Sequence, residues 1–457
     1  MSRSVHLVGI GGAGMSAIAI VLHGRGEHVT GSDRATSLYS KEVEALGMQV
    51  SYGHAAANVG KADLVLASSA VAKDNVELVA AYEQGIPVMR RDEFLPDLTA
   101  GYQTIAVAGT HGKTTTTGLI AWLLLQAGLD PSFMVGGIMR DLATNARCGA
   151  GSYFVIEADE YDRAFLGLTP SYALVTNVEH DHPDCYPTEA DFLSAFQQFS
   201  AKVQDTFVVC LDDLGASSLQ SPAPNRITYG FGTRADWRAE ELRVNTAGGS
   251  DFLVMYAGET LGLARTRLPG LHNVHNVLGA LAVVTALGVS FHDVREALTA
   301  YQGIGRRFQI VGIAGRVTVI DDYAHHPTEI KATLQAARER YPEADLWAVF
   351  QPHTYSRLRT LMDNFARCFG DADHVIVTEV FAAREEPDPL ISGEVIAGMI
   401  EHVDVRYEPE IEQAAQQLLR EVRTGSVVIT LSAGDGNQVG TLLLELINLN
   451  EGEKNHG

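Results

Sequence analysis

A run of nine residues, Gly109-Thr110-His111-Gly112-Lys113-Thr114-Thr115-Thr116-Thr117, carries the residue types that hold nucleotide phosphates. It follows an apolar run at 105–108, typical of a strand, and precedes a helix-like stretch at 118–127. Backbone N–H groups in such a turn face the anion, Lys113 adds a charge, and Thr114 can offer its hydroxyl to Mg²⁺. Val107 replaces the first glycine of the usual G-x-x-x-x-G-K-[ST] pattern. Residues 109–115 therefore predict a triphosphate site, against the plainer alternative of a polar turn that caps a helix.

A second glycine-rich segment, Gly9-Ile10-Gly11-Gly12-Ala13-Gly14, follows the strand-like run at 5–8. Strand-like runs at 28–33 and 63–67 complete a β–α–β–α–β rhythm, and Asp33 lies 19 residues beyond Gly14. This is the Rossmann fingerprint, which predicts docking of a diphosphate-bearing ligand. Three explanations of this segment remain open at this point: a cofactor site for hydride transfer, a nucleotide-sugar site, or glycines needed only for a tight turn.

Acidic residues and histidines follow two predicted strands of the middle segment. Glu157 directly follows the predicted strand at 153–156, and His182 comes after the predicted strand at 172–177. Ligands bind at the carboxyl edge of parallel sheets, and Mg²⁺ prefers oxygen donors, so Thr114 and Glu157 form the first predicted metal set. His182 could hold metal or orient substrate. The other polar residues there are expected to be solvated strand ends: Glu160, Asp162 and His180.

Polar groups also precede or follow predicted elements nearer the C-terminus. His272 and Asn276 precede a predicted helix at 277–286, where they could bind a nucleotide base or cap the helix. Three predicted strands are each followed by a polar cluster, and these clusters lie at 321–327, 351–357 and 432–436. Adjacent histidines point in different directions and no third ligand spacing accompanies them, so substrate contacts are favoured over zinc.

Composition limits the function classes. The chain has 34 basic and 56 acidic residues, a net charge of −22, which disfavours nucleic acid and anionic membranes as partners. The four cysteines form no CxxC pair, and neither a leader nor an apolar run of membrane-spanning length is visible. These features predict a cytoplasmic protein. A length of 457 residues predicts about three domains of ~150 residues each.

The predicted fold class is α/β with three domains. Residues 1–98 are expected to form an N-terminal Rossmann-like domain that binds a diphosphate-bearing ligand, and residues 99–302 a central P-loop α/β domain that binds a nucleoside triphosphate; the resemblance given below implies UDP in the first and ATP in the second. Residues 303–457 alternate strands and helices and are expected to form a C-terminal Rossmann-like domain.

These segments together resemble the Mur ligase family, and the glycine loop ending in Met15 resembles its alanine-adding member. The matching stretches span nearly the whole chain in the family's order: Gly9 to Met15, Gly109 to Thr116, Glu157 to Glu160, Thr176-Asn177 with Asp181-His182, His272-Asn273 with Asn276, Arg306 to Phe308, Asp322 to Glu329, and Phe350 to His353.

The resemblance implies an ATP-dependent ligase that joins L-alanine to the carboxylate of UDP-N-acetylmuramate through an acyl phosphate, in peptidoglycan precursor synthesis. ATP and Mg²⁺ are the implied cofactors, and a monomer or weak homodimer is expected. The implied catalytic residues are Lys113, Glu157, His182, His325 and Arg357, with metal on Thr114, Glu157 and His182. By the same resemblance, His325 and Arg357 line the amino-acid site, where the guanidinium could clamp the alanine carboxylate. The implied ATP contacts are residues 109–115 with His272, Asn276, Arg307 and Asp322. The implied UDP-muramate contacts are Gly11, Gly12, Ala13, Gly14, Asp33, His54, Ser69 and Asn145.

The chain departs from its apparent relatives at two places. They usually carry an arginine where this chain has Thr354, which removes a cation from the implied alanine site. Several sibling ligases carry a carbamylated lysine where Gln197 and Gln198 stand here, so no such modification is expected.

Three other functions fit parts of the sequence. A murein peptide ligase of the same family would attach a preformed peptide, and the Ala13-Gly14-Met15 loop argues against it. An NAD-dependent dehydrogenase would explain residues 9–33 and leave the Lys113 loop unused. A non-enzymatic nucleotide sensor gives no reason for the polar cluster at 322–326.

Overall fold

Three separate β-sheets, each flanked by helices, build the molecule. The structure is a computed structural model that describes residues 3–456. Each sheet lies within one of the three segments expected to be domains, which confirms the α/β class and the three-part organisation. The limits placed at residues 98 and 302 stay predictions.

The N-terminal sheet has five parallel strands in the order β3-β2-β1-β4-β5. Its strands are β1 (Ser4–Val8), β2 (His28–Asp33), β3 (Gln49–Tyr52), β4 (Leu64–Ala67) and β5 (Val88–Arg90), and its helices are α1 (Ala13–Gly24), α2 (Leu38–Ala45), α3 (Val76–Glu83) and α4 (Arg91–Thr99). The strand order reverses between β1 and β4, so the glycine loop after β1 lies at the switch point where α/β sheets bind ligands.

The central sheet has ten strands in the order β15-β14-β13-β12-β11-β10-β6-β9-β7-β8. They are β6 (Gln103–Ala108), β7 (Ser132–Met139), β8 (Thr144–Arg147), β9 (Tyr153–Glu157), β10 (Tyr172–Val175), β11 (Thr206–Cys210), β12 (Asn225–Gly230), β13 (Trp237–Val244), β14 (Ser250–Tyr256) and β15 (Glu259–Thr266). The helices are α5 (Lys113–Gln126), α6 (Glu189–Ser200), α7 (Leu214–Ser218), α8 (Leu271–Ala286) and α9 (Phe291–Ala300). β6 pairs in parallel with β9 and β10, which places residues 109–115, the predicted phosphate loop, between the ends of those strands.

The C-terminal sheet has six strands in the order β16-β17-β21-β18-β19-β20, of which only β16 runs antiparallel to its neighbour. Its strands are β16 (Gln309–Ala314), β17 (Val317–Asp322), β18 (Leu346–Phe350), β19 (His374–Val377), β20 (Val405–Tyr407) and β21 (Val427–Leu431). The helices are α10 (Pro327–Arg340), α11 (Tyr355–Phe365), α12 (Gly393–Met399), α13 (Ile411–Glu421) and α14 (Gln438–His456).

The central parallel strands are buried on both faces, as strands covered by helices on each side must be. Ile105 and Val107 of β6 pack on one side of the sheet, and Ala106 and Ala108 pack on the other, each with no exposed surface. The hydrophobic effect on both faces therefore fixes β6, and with it the position of the loop that follows.

Two helices begin earlier than the sequence predicted. α5 begins at Lys113 instead of Gly118, directly after Gly112, whose φ of 78° favours glycine. α8 begins at Leu271 instead of Val277, after Gly270 with a φ of 84°, so His272 and Asn276 lie inside the helix. Within residues 3–456, no helix is long and apolar enough to cross a membrane.

Candidate active site

A single cavity of about 980 Å³ opens between the carboxyl edges of the three sheets. Its walls include Gly14 of the first segment, Lys113 of the second and His325 of the third. Seven basic residues line it: Arg91, Lys113, Arg140, Arg306, Arg307, Arg357 and Arg384. Seven acidic residues also line it: Glu157, Asp159, Glu160, Asp181, Asp184, Glu329 and Glu385. The cavity is thus formally neutral inside a protein of net charge −22, so anionic ligands meet local cations there.

The phosphate loop approaches its neighbours so closely that two of its glycines have no room for a side chain. A Cβ on Gly109, whose φ is 141°, would lie 1.9 Å from the Thr176 hydroxyl. A Cβ on Gly112 would lie 2.4 Å from the amide oxygen of Asn276. The loop is held by the segment after β10, where the Thr176 hydroxyl donates to the His111 carbonyl at 2.6 Å.

The Lys113 ammonium is held inside the loop by three acceptors. It donates to the carbonyl oxygens of Gly109 at 2.5 Å and Thr110 at 3.0 Å, and to the carboxylate of Glu160 at 2.9 Å. Burial works to lower the pKa of Lys113, and the carboxylates of Glu160 and Glu157 outweigh it and raise that pKa. Lys113 therefore stays charged, as the binding of a phosphate anion requires.

Thr114 and Glu157 form a pair of oxygen donors below the loop. The Thr114 hydroxyl donates to one oxygen of Glu157 at 3.0 Å, and the Gly136 N–H donates to the other at 2.7 Å. Burial, with a contribution from Asp159, raises the pKa of Glu157 even though Lys113 opposes the shift. A half-buried carboxylate beside a hydroxyl matches the hard oxygen donors that Mg²⁺ takes.

Asp181 and His182 connect the central sheet to the other parts of the cavity. The His182 Nε2 lies 3.2 Å from the same carboxylate of Glu160 that binds Lys113, and its backbone has a φ of 54°. Asp181 accepts from Arg357 of the third segment through Nε at 2.9 Å and Nη2 at 3.3 Å. Burial acts to raise the pKa of Asp181, and Arg357 overrides it and holds that pKa well below its usual range.

His111 joins the phosphate loop to the start of α10. Its Nε2 lies 3.0 Å from a Glu179 oxygen, and its Nδ1 lies 3.3 Å from Glu329. Burial opposes protonation of the ring, but the two carboxylates prevail and raise the pKa of His111 to about 9. The charged imidazolium therefore joins the central segment to the C-terminal segment through its contact with Glu329.

The glycine loop of the first segment is bound by its own strands and by the central sheet. The Gly11 N–H donates to Asp33 at 2.8 Å, and the Asn145 side chain donates to the Ala13 carbonyl at 2.9 Å. Arg91 lies against Gly14, donates to Asp159 at 3.0 Å, and leaves its buried Nε without an acceptor. These contacts join the glycine loop of the first segment to the central segment.

The implied ATP contacts outside the phosphate loop lie on α8 and near β17. The amide of Asn276 lies beside Gly112, and burial lowers the pKa of His272 to about 4, so that ring is neutral. Asp322 accepts from the N–H groups of Phe308 at 2.6 Å and Ala324 at 2.8 Å, and burial raises its pKa to about 6. Arg307 lies 3.5 Å from Glu329.

The rings of His325 and His353 lie together near Arg357. The His325 Nδ1 lies 2.8 Å from the Tyr323 carbonyl, and burial, with Arg357 nearby, lowers the pKa of His325 to about 4. Burial with the nearby charges also lowers the pKa of His353, to about 2, and its centroid lies 5.5 Å from that of His325. Two neutral imidazoles therefore line the part of the cavity beside Asp181.

The structure brings only part of the predicted set to the cavity wall. Residues that line it are Ala13, Gly14, Ser69, Thr110, Gly112, Lys113, Thr114, Glu157, His182, Arg307, His325 and Arg357. The others lie behind this wall or apart from it: Gly11, Gly12, Asp33, His54, Gly109, His111, Thr115, Asn145, His272, Asn276 and Asp322. His54 contacts Ser32 at 3.2 Å and the buried Glu77 at 3.5 Å, within the N-terminal segment.

Sequence reasoning missed the position of Glu160. It was expected to be a solvated strand end, and that expectation was wrong, because its side chain is buried between Lys113 and His182. Arg91 and Glu179 were not singled out at all. Asp162 is exposed and His180 is half-buried.

Comparisons with known proteins identify the family of this α/β architecture and its three-walled site. Three family models match in order: the Mur ligase family catalytic domain over residues 4–103, the Mur ligase middle domain over 107–284, and the Mur ligase glutamate ligase domain over 306–434. The chain belongs to the Mur ligase family.

Its relatives include curated UDP-N-acetylmuramate–L-alanine ligases. That of Roseiflexus sp. (strain RS-1) is 43% identical over 97% of this chain and 98% of its own length, and that of Geobacter sp. (strain M21) is 42% identical over 97% of each. The crystal structure of the UDP-N-acetylmuramate-alanine ligase of Thermotoga maritima matches with a TM-score of 0.84 and 30% identity, over 98% of this chain and 99% of that one.

A murein peptide ligase from Psychrobacter arcticus 273-4 is also similar, with a TM-score of 0.72 and 26% identity over 98% of this chain and 99% of that one. The comparisons confirm the expected family and the expected class, an amide ligase. They favour neither the peptide-attaching ligase nor the dehydrogenase.

Proposed function

We propose that this protein is an ATP-dependent ligase that joins L-alanine to the lactyl carboxylate of UDP-N-acetylmuramate. The observation that carries the proposal is the single cavity in which Gly14, Lys113 and His325 meet, one from each segment. A ligase of this kind needs a sugar nucleotide, a triphosphate and an amine in one place. The names of the relatives at about 42% identity supply the two co-substrates.

In the first step, a carboxylate oxygen of the muramate attacks the γ-phosphorus of ATP, and the bond from that phosphorus to ADP breaks. Phosphoryl transfer depends mostly on positioning and electrostatics. The Lys113 ammonium and the N–H groups at the start of α5 supply charge stabilisation at the phosphate loop. Glu160 keeps that ammonium in place.

In the second step, the amine of alanine attacks the carbonyl carbon of the acyl phosphate. Phosphate then leaves with the oxygen that came from the carboxylate, the amine loses a proton, and an amide remains. Closure of the three segments around the cavity excludes water, which would otherwise hydrolyse the acyl phosphate.

The residues that would hold Mg²⁺ are Thr114 and Glu157, with His182 on the other side of Glu160. A bound Mg²⁺ neutralises charge on the phosphate oxygens as the γ-phosphoryl group is transferred. Residues around Gly14 and Ser69 would hold the sugar nucleotide, and α8 with Asp322 would hold the adenosine.

Release of inorganic phosphate tests this function. The protein is incubated with ATP, Mg²⁺, UDP-N-acetylmuramate and one amino acid at a time, and each component is then left out in turn. Phosphate release that needs all four components and prefers L-alanine supports the proposal. Lys113→Ala should abolish turnover and leave the circular dichroism spectrum unchanged.

Two results would replace the proposal with another function. A preference for a preformed tripeptide over L-alanine would indicate a peptide-attaching ligase. Oxidation of NADH without use of ATP would indicate a dehydrogenase.

A further inference from the structure

The loop at 381–385 of the C-terminal segment is fixed beside the start of α11. The Thr354 N–H donates to the Phe381 carbonyl at 3.0 Å, and the Phe381 N–H donates to the Pro352 carbonyl at 2.8 Å. The Ser356 N–H donates to Glu385 at 2.9 Å. Arg384 is therefore presented from an anchored backbone.

Arg384 reaches across the cavity to the central segment. Its guanidinium lies 4.3 Å from the centroid of the Tyr161 ring, a cation–π distance, and Arg384 lines the cavity and is exposed. The Tyr161 hydroxyl donates to Asp184 at 2.9 Å, and its ring lies 5.1 Å from that of His182. Among the side chains that the structure describes, those of residues 3–451, no carboxylate pairs with Arg384, so its guanidinium is available to a ligand.

Arg357, the residue expected to hold the alanine carboxylate, has each of its three nitrogens in a hydrogen bond. Nε and Nη2 bind Asp181, and Nη1 donates to the Nδ1 of His353 at 3.2 Å. Only 4% of Arg357 is exposed. Its interaction with Asp181 joins the two segments and leaves little of the guanidinium free for a substrate.

We propose that Arg384 binds the α-carboxylate of the amino-acid substrate, and that Arg357 instead positions Asp181. The inference rests on the proposed ligase function and deepens it. A planar guanidinium suits bidentate binding of a carboxylate. Stacking on Tyr161 preorganises Arg384, and the contact from Tyr161 to His182 sets the carboxylate near the Lys113–Glu160 pair. Thr354 and Arg384 both line this cavity.

The test compares the wild type with Arg384→Ala in steady-state kinetics of phosphate release. We expect the KM for L-alanine to rise about ten- to hundredfold, as for loss of a charged hydrogen bond, with the KM values for ATP and UDP-N-acetylmuramate unchanged. Arg384→Lys should recover part of the loss. Arg367→Ala is the matched control, because Arg367 is an exposed arginine of the same segment outside this cavity.

L-alaninamide lacks the carboxylate, so the preference of the enzyme for L-alanine over L-alaninamide reports on carboxylate binding. A purely structural effect of the Arg384 substitution would leave this preference unchanged. Preference for L-alanine over L-alaninamide should fall about tenfold or more in Arg384→Ala. An unchanged preference in an active Arg384→Ala enzyme would overturn the inference. The inference would also be overturned if Arg357→Lys, and not Arg384→Ala, lost the preference for L-alanine over L-alaninamide. If the wild type shows no phosphate release that depends on an amino acid, it is the proposed function that fails.

Discussion

Arg357 and Asp181 form a buried ion pair between the C-terminal and central segments, with two hydrogen bonds of 2.9 and 3.3 Å. Both side chains have no more than 6% of their surface exposed. Removing one partner of a buried pair leaves an uncompensated charge, which is strongly unfavourable. Between segments, that cost can be relieved by separation of the two surfaces.

Asp181→Asn should therefore favour an open arrangement of the C-terminal segment. We expect a larger radius of gyration in X-ray scattering and a higher KM for L-alanine. Asp388→Asn is the matched control, because it breaks the pair with Arg359 inside the C-terminal segment. Equal radii for wild type and Asp181→Asn would show that this pair does not hold the segments together.

Replacement of Glu160 should affect catalysis through Lys113. Glu160→Gln removes the negative charge that raises the pKa of Lys113 against burial. We expect kcat to fall about tenfold or more and the basic limb of the pH–rate profile to move to lower pH. Glu339→Gln, an exposed change on α10, serves as control. A variant with reduced kcat and an unmoved basic limb would count against this role of Glu160.

Removal of the oxygen donors of Glu157 and Thr114 should weaken the binding of Mg²⁺. In Glu157→Gln and Thr114→Val, we expect the Mg²⁺ concentration for half-maximal activity to rise about tenfold. Thr114→Ser should behave like the wild type because it keeps the hydroxyl. EDTA should stop turnover, and excess Mg²⁺ should restore it. Activity that persists in metal-free buffer would refute this assignment.

The charged His111 contact should make stability depend on pH. The pKa of His111 is raised from an ordinary 6.5 to about 9, by Glu179 and Glu329 against burial. The stabilisation is therefore complete below pH 6.5 and is lost as pH rises through about 9. It amounts to about 3 kcal/mol, from about 1.4 kcal/mol per pKa unit.

Urea unfolding across this pH range gives the measurement. His111→Gln should abolish this part of the pH dependence, whereas His292→Gln, at an exposed position, should retain it. Parallel curves for the wild type and His111→Gln would contradict the expected contribution of His111.

The local signals in the sequence predicted the fold well. The β6–loop–α5 unit, the glycine loop after β1 and the parallel strands at 153–157 and 172–175 all occur, because each depends on a short run of apolar residues or on glycine conformation. The antiparallel strands β13 to β15 were not predicted. Their alternating patterns are interrupted by bulges near Glu240 and Val254, which shift the register of the buried side chains.

The site was harder to predict, because its contacts join distant parts of the chain. Glu160 lies 47 positions from Lys113, and Asp181 lies 176 positions from Arg357. No local pattern distinguishes such acids from solvated strand ends. The predicted start of α8 is too late, because polar residues such as His272 and Asn273 often precede a helix. The helix instead begins directly after Gly270.

Transfer of oxygen from the substrate to phosphate tests the chemistry most directly. UDP-N-acetylmuramate labelled with ¹⁸O in its carboxylate is incubated with ATP, Mg²⁺ and L-alanine, and the released phosphate is analysed by mass spectrometry. Attack of the carboxylate on the γ-phosphorus predicts one labelled oxygen in each released phosphate. The Lys113→Ala variant should release no phosphate. Unlabelled phosphate formed along with the alanine amide would contradict an acyl phosphate made at this loop.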